Sequence, residues 1–345
     1  ISVKIYNVWE KMILHDFIEK SFTIVTPYII PDNLPKKVNA GDGFIYDSAV
    51  RLIGYNPKNV FSSREELTEE KVEKINSTKL LIIAGANILK DNFEIIKNFN
   101  FSTLNKIKVP IALMGIGHYG ITKTNINGFD EQSKKIFNDI TERFPLVSVR
   151  CNGSYNYLKK SVPSKIELVL NTSCPVIFNV DNIFKNYKKK DQYNQLVVTI
   201  TDRILINEQL SILPSATKVF NSKKRTLALH QDYKNTKLSN FAKKIGYEVF
   251  VSNNYLDYIE LYKKTDIHFG NRVHAHLKCL SLGVPSFCTP FDLRQHYFAQ
   301  SIGLPLVKDI KDESLKSFQF TNFIKHREKS EVSMNKFINL ILKYL

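Results

Sequence analysis

The 345-residue sequence contains no run of 18 apolar residues, so nothing in it reads as a membrane-spanning helix. Its four cysteines, Cys151, Cys174, Cys279 and Cys288, include no CxxC pair and no metal-site spacing. That excludes a disulfide framework and a cysteine-based metal centre, and few unframed thiols suit a reducing compartment, so the cytoplasm is the expected location. No charged-then-apolar leader opens the chain, and no fixed-period repeat runs through it. Arginine-rich arms, zinc-finger spacing and RNA-binding signatures are also missing, so nucleic acid is not an expected partner. This holds although 49 Lys and Arg face 33 Asp and Glu, a net +16. Such a balance favours acidic partners, phosphorylated metabolites or anionic lipid surfaces among them. The abundance of Lys, Asn and Ile is also what an AT-rich coding sequence yields, with no function behind it.

What is present suits two α/β domains, since the length exceeds one ordinary core and 43% of the residues are apolar. The spacing predicts strands over 79–84, 109–114, 146–149, 166–170, 196–201, 226–229, 247–251, 267–269 and 286–288, with helices between many of them. Several strands end in small or polar turns: Gly85-Ala86-Asn87, Gly115-Ile116-Gly117-His118, Arg150, and His230-Gln231-Asp232. Buried strands ending this way predict parallel sheets whose carboxyl edges carry the site. The polar stretch 179–195, with Lys188-Lys189-Lys190, places the boundary, giving domains 1–185 and 186–345. An amphipathic pattern over 2–22, with Trp9, Met12, Ile13, Phe17 and Ile18 on one face, reads as a packing helix. At the other end Val332, Met334, Phe337, Ile338, Ile341 and Leu342 form a stripe suited to a helix that crosses back to the first domain.

The richest stretch is Tyr262 to Gln300. A strand ends in Gly270-Asn271, and a helix begins with Arg272, His274 and His276 in its first turns. That helix closes at Leu282-Gly283, and Val284-Pro285 opens the next strand, after which come Asp292, Arg294 and His296. A helix N-terminus just past a strand offers free N–H groups and a positive dipole end to an anion, and Arg150 before the helix at Gly153 repeats the arrangement. Near the front, Asn39-Ala40-Gly41-Asp42 precedes a helix for which Asp42 is a suitable N-cap. In each case simple capping and stability is the alternative reading. Gly-Ile-Gly at 115–117 lacks the full dinucleotide fingerprint.

These residues resemble the polysaccharide pyruvyl transferases. The resemblance rests on Gly270, Asn271, Arg272, Val273 and His274 followed by Gly283-Val284-Pro285. It is supported by Asn39-x-Gly41-Asp42, and by Val149 and Arg150 with Ser154 and Leu158 after them. The sequence departs from the family at Gly270, where Ser or Thr is usual, at Cys174, where an Asp commonly precedes the proline, and at Arg294, where Lys is frequent. The resemblance implies two Rossmann-like domains facing across a cleft, the GT-B type, with the acceptor on the first and the donor on the second. It also implies phosphoenolpyruvate as co-substrate, no further cofactor and no metal. Arg150, Arg272 and Arg294 would clamp the donor, His274 and secondarily His118 would carry protons, and Asn39, Asp42 and Asn271 would contact substrate. The acceptor would be a saccharide of a cell-surface polysaccharide, and a lipid-linked precursor would bring the protein to the inner face of the membrane. Two other readings stay open: a GT-B glycosyltransferase with a nucleotide-sugar donor, and a catalytically silent binding module of the same fold.

Overall fold

The computed structural model describes residues 20–28, 39–118, 128–178, 186–201, 209–231, 236–303, 306–308, 315 and 317–345. The amphipathic stretch before residue 20, the polar run 179–185 and Asp232 lie outside the described residues. Runs such as Leu-Leu-Ile-Ile-Ala and Ile-Ala-Leu-Met-Gly-Ile, apolar on both faces and buried throughout, form the interior strands of parallel sheets. The first sheet comprises β1 (Phe22–Thr26), β2 (Asn59–Ser62), β3 (Leu80–Ala84), β4 (Ile111–Ile116), β5 (Val147–Val149) and β6 (Val169–Asn171). They run in the order β2-β1-β3-β4-β5-β6, all parallel.

After β7 (Asn186–Lys188) comes the second sheet, of β8 (Tyr193–Thr199), β9 (Ser222–Ala228), β10 (Glu248–Phe250), β11 (Ile267–Gly270) and β12 (Ser286–Cys288). Its order is β10-β9-β8-β11-β12, again all parallel. Strand β13 (Ser317–Gln319) pairs antiparallel with β7 in a separate ribbon. Strand order reverses between β1 and β3 in one sheet and between β8 and β11 in the other. Those reversals are where open α/β sheets leave a crevice at their carboxyl ends. The architecture is therefore two parallel-sheet, Rossmann-like halves of the GT-B type.

The halves are not independent. Helix Ala40–Ile53 and the short turn Pro175–Phe178 belong to the first half of the chain. Yet Ala40, Phe44, Ile45, Val176 and Ile177 share one apolar core with Leu196, Val198, Phe269 and Leu277 of the second. The backbone N–H of Ala40 also donates to the carbonyl of His230 beyond β9, 3.3 Å away. The closing helix Thr321–Tyr344 returns to the first sheet, where Met334, Phe337, Ile338 and Ile341 pack against Phe22, Ile24, Leu80 and Met114. Burial of each such side chain stabilises by roughly 1.5–3 kcal/mol before the cost of ordering it. Val332 departs from the expected stripe and is 73% exposed. The predicted strand 166–170 is shorter than expected, because Pro163 starts a 3-10 helix through Leu168 and pairing with β5 begins at Val169. The N-cap of helix Ala40–Ile53 is Asn39, not Asp42, since Asn39 has the extended backbone and its side chain accepts from the Gly41 N–H.

Candidate functional site

The second sheet supplies one wall. At the β8/β11 reversal the chain passes so close to β8 that a Cβ at Gly270 would lie 2.0 Å from the Thr199 carbonyl oxygen. A Ser or Thr side chain at this position would therefore clash with β8 unless the backbone moved. Asn271 follows with its side chain turned into the fold. It accepts from the Thr201 N–H at 2.7 Å and donates to Gln209, while its carbonyl accepts from Gln295 Nε2 at 2.7 Å. Its expected substrate-facing amide is engaged in fixing the loop. Arg272 is the N-cap of helix Val273–Ser281, and its guanidinium donates to the Ile200 carbonyl at 3.2 Å and to Gln231 Oε1 at 3.1 Å.

His274 stands in the first turn of that helix and packs on Gly41, where an added Cβ would lie 3.1 Å from its own Cβ and 3.2 Å from its Nδ1. One N-terminal-half helix start therefore underlies the histidine of the other half. The residue is half-buried, and its Nε2 is buried with no hydrogen-bond partner. Burial, then the guanidiniums of Arg150, Arg294 and Arg272 in that order, push its pKa down to about 3. Three arginines from three strand ends thus act on a single imidazole.

The first sheet supplies the other wall. Arg150, one residue past β5, is 3% exposed and donates through one Nη to Asn87 Oδ1 and to the His118 carbonyl at 3.3 Å. Its Nε is buried without a partner, and its guanidinium lies 5.7 Å from the ring of Phe298. The backbone of Gly117 is pressed against it, so that a Cβ there would overlap the guanidinium. Burial lowers the arginine's pKa, with Arg294 adding repulsion, although Asp292 and the two nearby thiols Cys151 and Cys174 pull the other way. No carboxylate is in hydrogen-bond contact with Arg150 among the described contacts. Cys174, burial raising its thiol to about 11, stands near this cation without neutralising it.

Arg294 is tied down differently. Its Nε donates to Asp292 at 2.9 and 3.1 Å, and Asp292 also caps helix Leu293–Ile302. About a third of its side chain is exposed. His118 stacks on Tyr157 with ring centres 4.6 Å apart, and its Nδ1 is buried without a partner. Burial and then Arg150 lower its pKa. Asp42 is paired with Arg64, and Asn39 accepts from Gly41, so both serve the start of helix Ala40–Ile53 beside His274.

The structure brings Arg150, Arg272 and Arg294 close enough to His274 to lower its pKa, and Arg150 also acts on His118. Sequence reading passed over Asn87, Gln231 and Phe298 as site residues. The first two ended strand turns that were singled out, so their position was the available signal; Phe298 lies within a helix and gave none. Among the described residues no group of three or more His, Cys, Asp or Glu is placed to hold a metal, and no helix is long and apolar enough to cross a membrane.

Solved structures similar to this chain include the S. aureus MnaA–UDP complex, at 11% identity and a TM-score of 0.47, covering 93% of this chain and 90% of that one. UDP-GlcNAc 2-epimerase from Neisseria meningitidis bound to UDP-GlcNAc is similar at 14% identity and a TM-score of 0.47, covering 94% and 98%. The wall teichoic acid polymerase TagF is similar at 10% identity and a TM-score of 0.39, covering 94% and 83%. No curated protein matches the sequence. The model of the family named polysaccharide pyruvyl transferase matches residues 39–292, which include Arg150, Arg272 and His274, and the chain belongs to that family.

Proposed function

We propose that this transferase moves the pyruvyl group of phosphoenolpyruvate onto two hydroxyls of one sugar as a cyclic ketal. The sugar belongs to a cell-surface polysaccharide or to its lipid-linked precursor, met at the inner face of the membrane. The observation that carries the reading is a buried Arg150 with neutral hydrogen-bond partners beside a neutral His274 whose Nε2 is buried and unpaired. A compact donor bearing both carboxylate and phosphate fits such a site, because guanidiniums pair with each bidentately. Arg150 is a stronger clamp than Arg294, which Asp292 already balances, and Arg272 adds a second planar donor. Residues 186–345 contribute Arg272, Arg294 and His274 to the donor side, Arg150 reaches it from 1–185, and the acceptor enters over the edge of the domain at 1–185.

The reaction balances without an outside reagent. The first sugar hydroxyl passes its proton through the imidazole to the donor's methylene carbon as its oxygen bonds to C2, where positive charge develops. The C2–O bond to phosphate then breaks, phosphate leaves, and the second hydroxyl closes the ketal. Of the two hydroxyl protons, one ends on the new methyl group and the other on phosphate. With its pKa at about 3, His274 is a neutral base at pH 7. Donor binding offsets the guanidinium charges, so its affinity for a proton rises in the complex. One imidazole can then take the hydroxyl proton and return it to carbon, a role worth ~10²–10⁴ in rate. His118 is the second candidate carrier.

The test is phosphate release from phosphoenolpyruvate with a panel of β-galactoside and mannosamine-containing acceptors. His274→Ala and Arg272→Ala should abolish it. Release that persists in both variants, or turnover of UDP-sugars in place of phosphoenolpyruvate, overturns the reading.

A further inference from the structure

The helix that carries His274 also carries a lysine that the proposed chemistry does not use. Lys278 follows His274 by one turn, so both side chains share a face of helix Val273–Ser281. The lysine is wholly buried, its Nζ makes no hydrogen bond, and its charged neighbour is Asp47 Oδ2 at 3.5 Å. Asp47 lies on helix Ala40–Ile53, the helix whose Gly41 underlies His274, and Arg51 grips it from the solvent side. The same two helices therefore meet twice: at Gly41 and His274 in the cleft, and at Asp47 and Lys278 deeper in the fold.

A buried ammonium is a costly way to fill an interface, and an apolar side chain of similar length would often be neutral or stabilising there. What an ion pair adds is a penalty on any register that parts the two charges, because a buried ammonium left without its carboxylate is strongly disfavoured. Apolar contacts are non-directional and single out no partner, so they select one register less sharply. We infer that the Lys278–Asp47 pair is a positioning device that sets the register of helix Val273–Ser281 on helix Ala40–Ile53 and so seats the His274 imidazole over Gly41. The inference rests on the reading of His274 as the proton carrier.

Several charged or titratable groups surround the pair. Arg51 and Tyr46 come from the Asp47 helix, Lys263 and Tyr255 from helix Tyr255–Lys263, and Cys279 from the lysine's own helix. Burial pushes the Lys278 ammonium down to about 8, with Asp47 opposing and Arg51 and Lys263 adding to the fall. The ion pair is thus present below about pH 8 and lost above it. Because this pKa lies below the ordinary lysine value, the unfolded chain holds more protons between about pH 8 and 10.5. Deprotonation there stabilises the fold while releasing the register, so stability and positioning move in opposite directions.

The test uses full-length protein with 13C-labelled histidine and no donor or acceptor, the His274 ring signal being assigned by its loss in His274→Ala. Between pH 6.5 and 9.5 the imidazole itself does not titrate, yet its signal should shift with an inflection near pH 8. That inflection should vanish in Lys278→Met, with thermal stability equal to or above the parent's. In turnover with an accepted panel sugar, kcat should fall ~10-fold to ~10²-fold, as misplacement by up to an ångström does, with KM for phosphoenolpyruvate unchanged. Should Lys278→Met fail to fold, Asp47→Asn carries the same ring-signal test. A flat His274 signal in the parent, or an inflection that survives in the variant, overturns the inference. Because the ring signal is read without substrate, it is judged apart from whether His274→Ala abolishes phosphate release.

Discussion

His274 and His276 sit two residues apart on one helix, and each has its pKa pushed down to about 3. Burial is the largest cause for both, and there the likeness ends. Burial alone lowers His276, whose Nδ1 meets Ser286 Oγ at 2.7 Å. The same hydroxyl meets His268 Nδ1 at 2.6 Å, and His268 Nε2 meets Thr199 Oγ1 at 2.8 Å. A hydroxyl donates one proton, so at least one of the two rings gives Ser286 its N–H, and the contacts form a network inside the fold. His274 owes part of its shift to three guanidiniums and has a buried nitrogen with no partner. The size of a pKa shift therefore does not separate a site from a core. Its cause does, because an arriving anion can offset guanidinium charge and cannot undo burial.

The sharpest way to break this contrast is to remove the first of those charges. Arg150→Ala should cut phosphate release by ~10²-fold or more, the scale of losing one preorganised donor to a charged substrate. It should also raise the His274 pKa, seen as an upward move of the acid limb of the pH–rate profile, while the His276 ring signal stays in place. Arg150→Lys should not rescue the rate, since the ammonium lacks the planar fork. A rate equal to the parent's in both variants would put the site elsewhere.

Ser286→Ala attacks the other histidine. It strands two imidazole nitrogens at about 1–3 kcal/mol each, read as a lower urea midpoint, and leaves the rate per folded molecule unchanged. The same group of buried rings makes the fold sensitive to acid. His230, His268, His274 and His276 all have depressed pKa values, so below about pH 6.5 the unfolded chain takes up protons that the folded one refuses. Each ring should then cost about 1.4 kcal/mol of stability per pH unit of acidification. Equilibrium urea unfolding at pH 7 and pH 5.5 measures it.

Much of the second half was legible because its breaks are marked. Gly270-Asn271 and Gly283-Val284-Pro285 bracket helix Val273–Ser281, and β12 falls on the expected 286–288. Strand β1 was not read, since Phe22–Thr26 is a short apolar run directly after an amphipathic stretch, and a run of that length has no decisive period. Asn39 and Asp42 are both good caps by type, and only the backbone angles decide between them. Least legible was the sharing of a core between the halves. That Phe44 and Ile45 pack with the second sheet depends on which way helix Ala40–Ile53 leans, and neither spacing nor composition encodes it. The network of Ser286, His268 and His276 was hidden for the same reason, its members being spread over two strands and a helix.

Gly41→Ala is the smallest change that still distinguishes the two histidines. Alanine is favoured over glycine within a helix by about 0.8–1.0 kcal/mol, less in a first turn, so propensity argues for stabilisation. The new methyl group would lie 3.1 Å from His274 Cβ and 3.4 Å from Asn39 Oδ1, tighter than ordinary contact, so the ring must give by a few tenths of an ångström. Propensity and crowding nearly offset one another, and the melting temperature should barely move. The rate should not escape: if about an ångström of misplacement costs ~10²-fold, a few tenths should cost a few-fold in kcat. The His276 signal should stay fixed while the His274 signal moves. A variant with the parent's kcat and a displaced His274 signal would show that the ring's position is not what limits turnover, and would leave the guanidiniums alone to explain why this histidine differs from its neighbour.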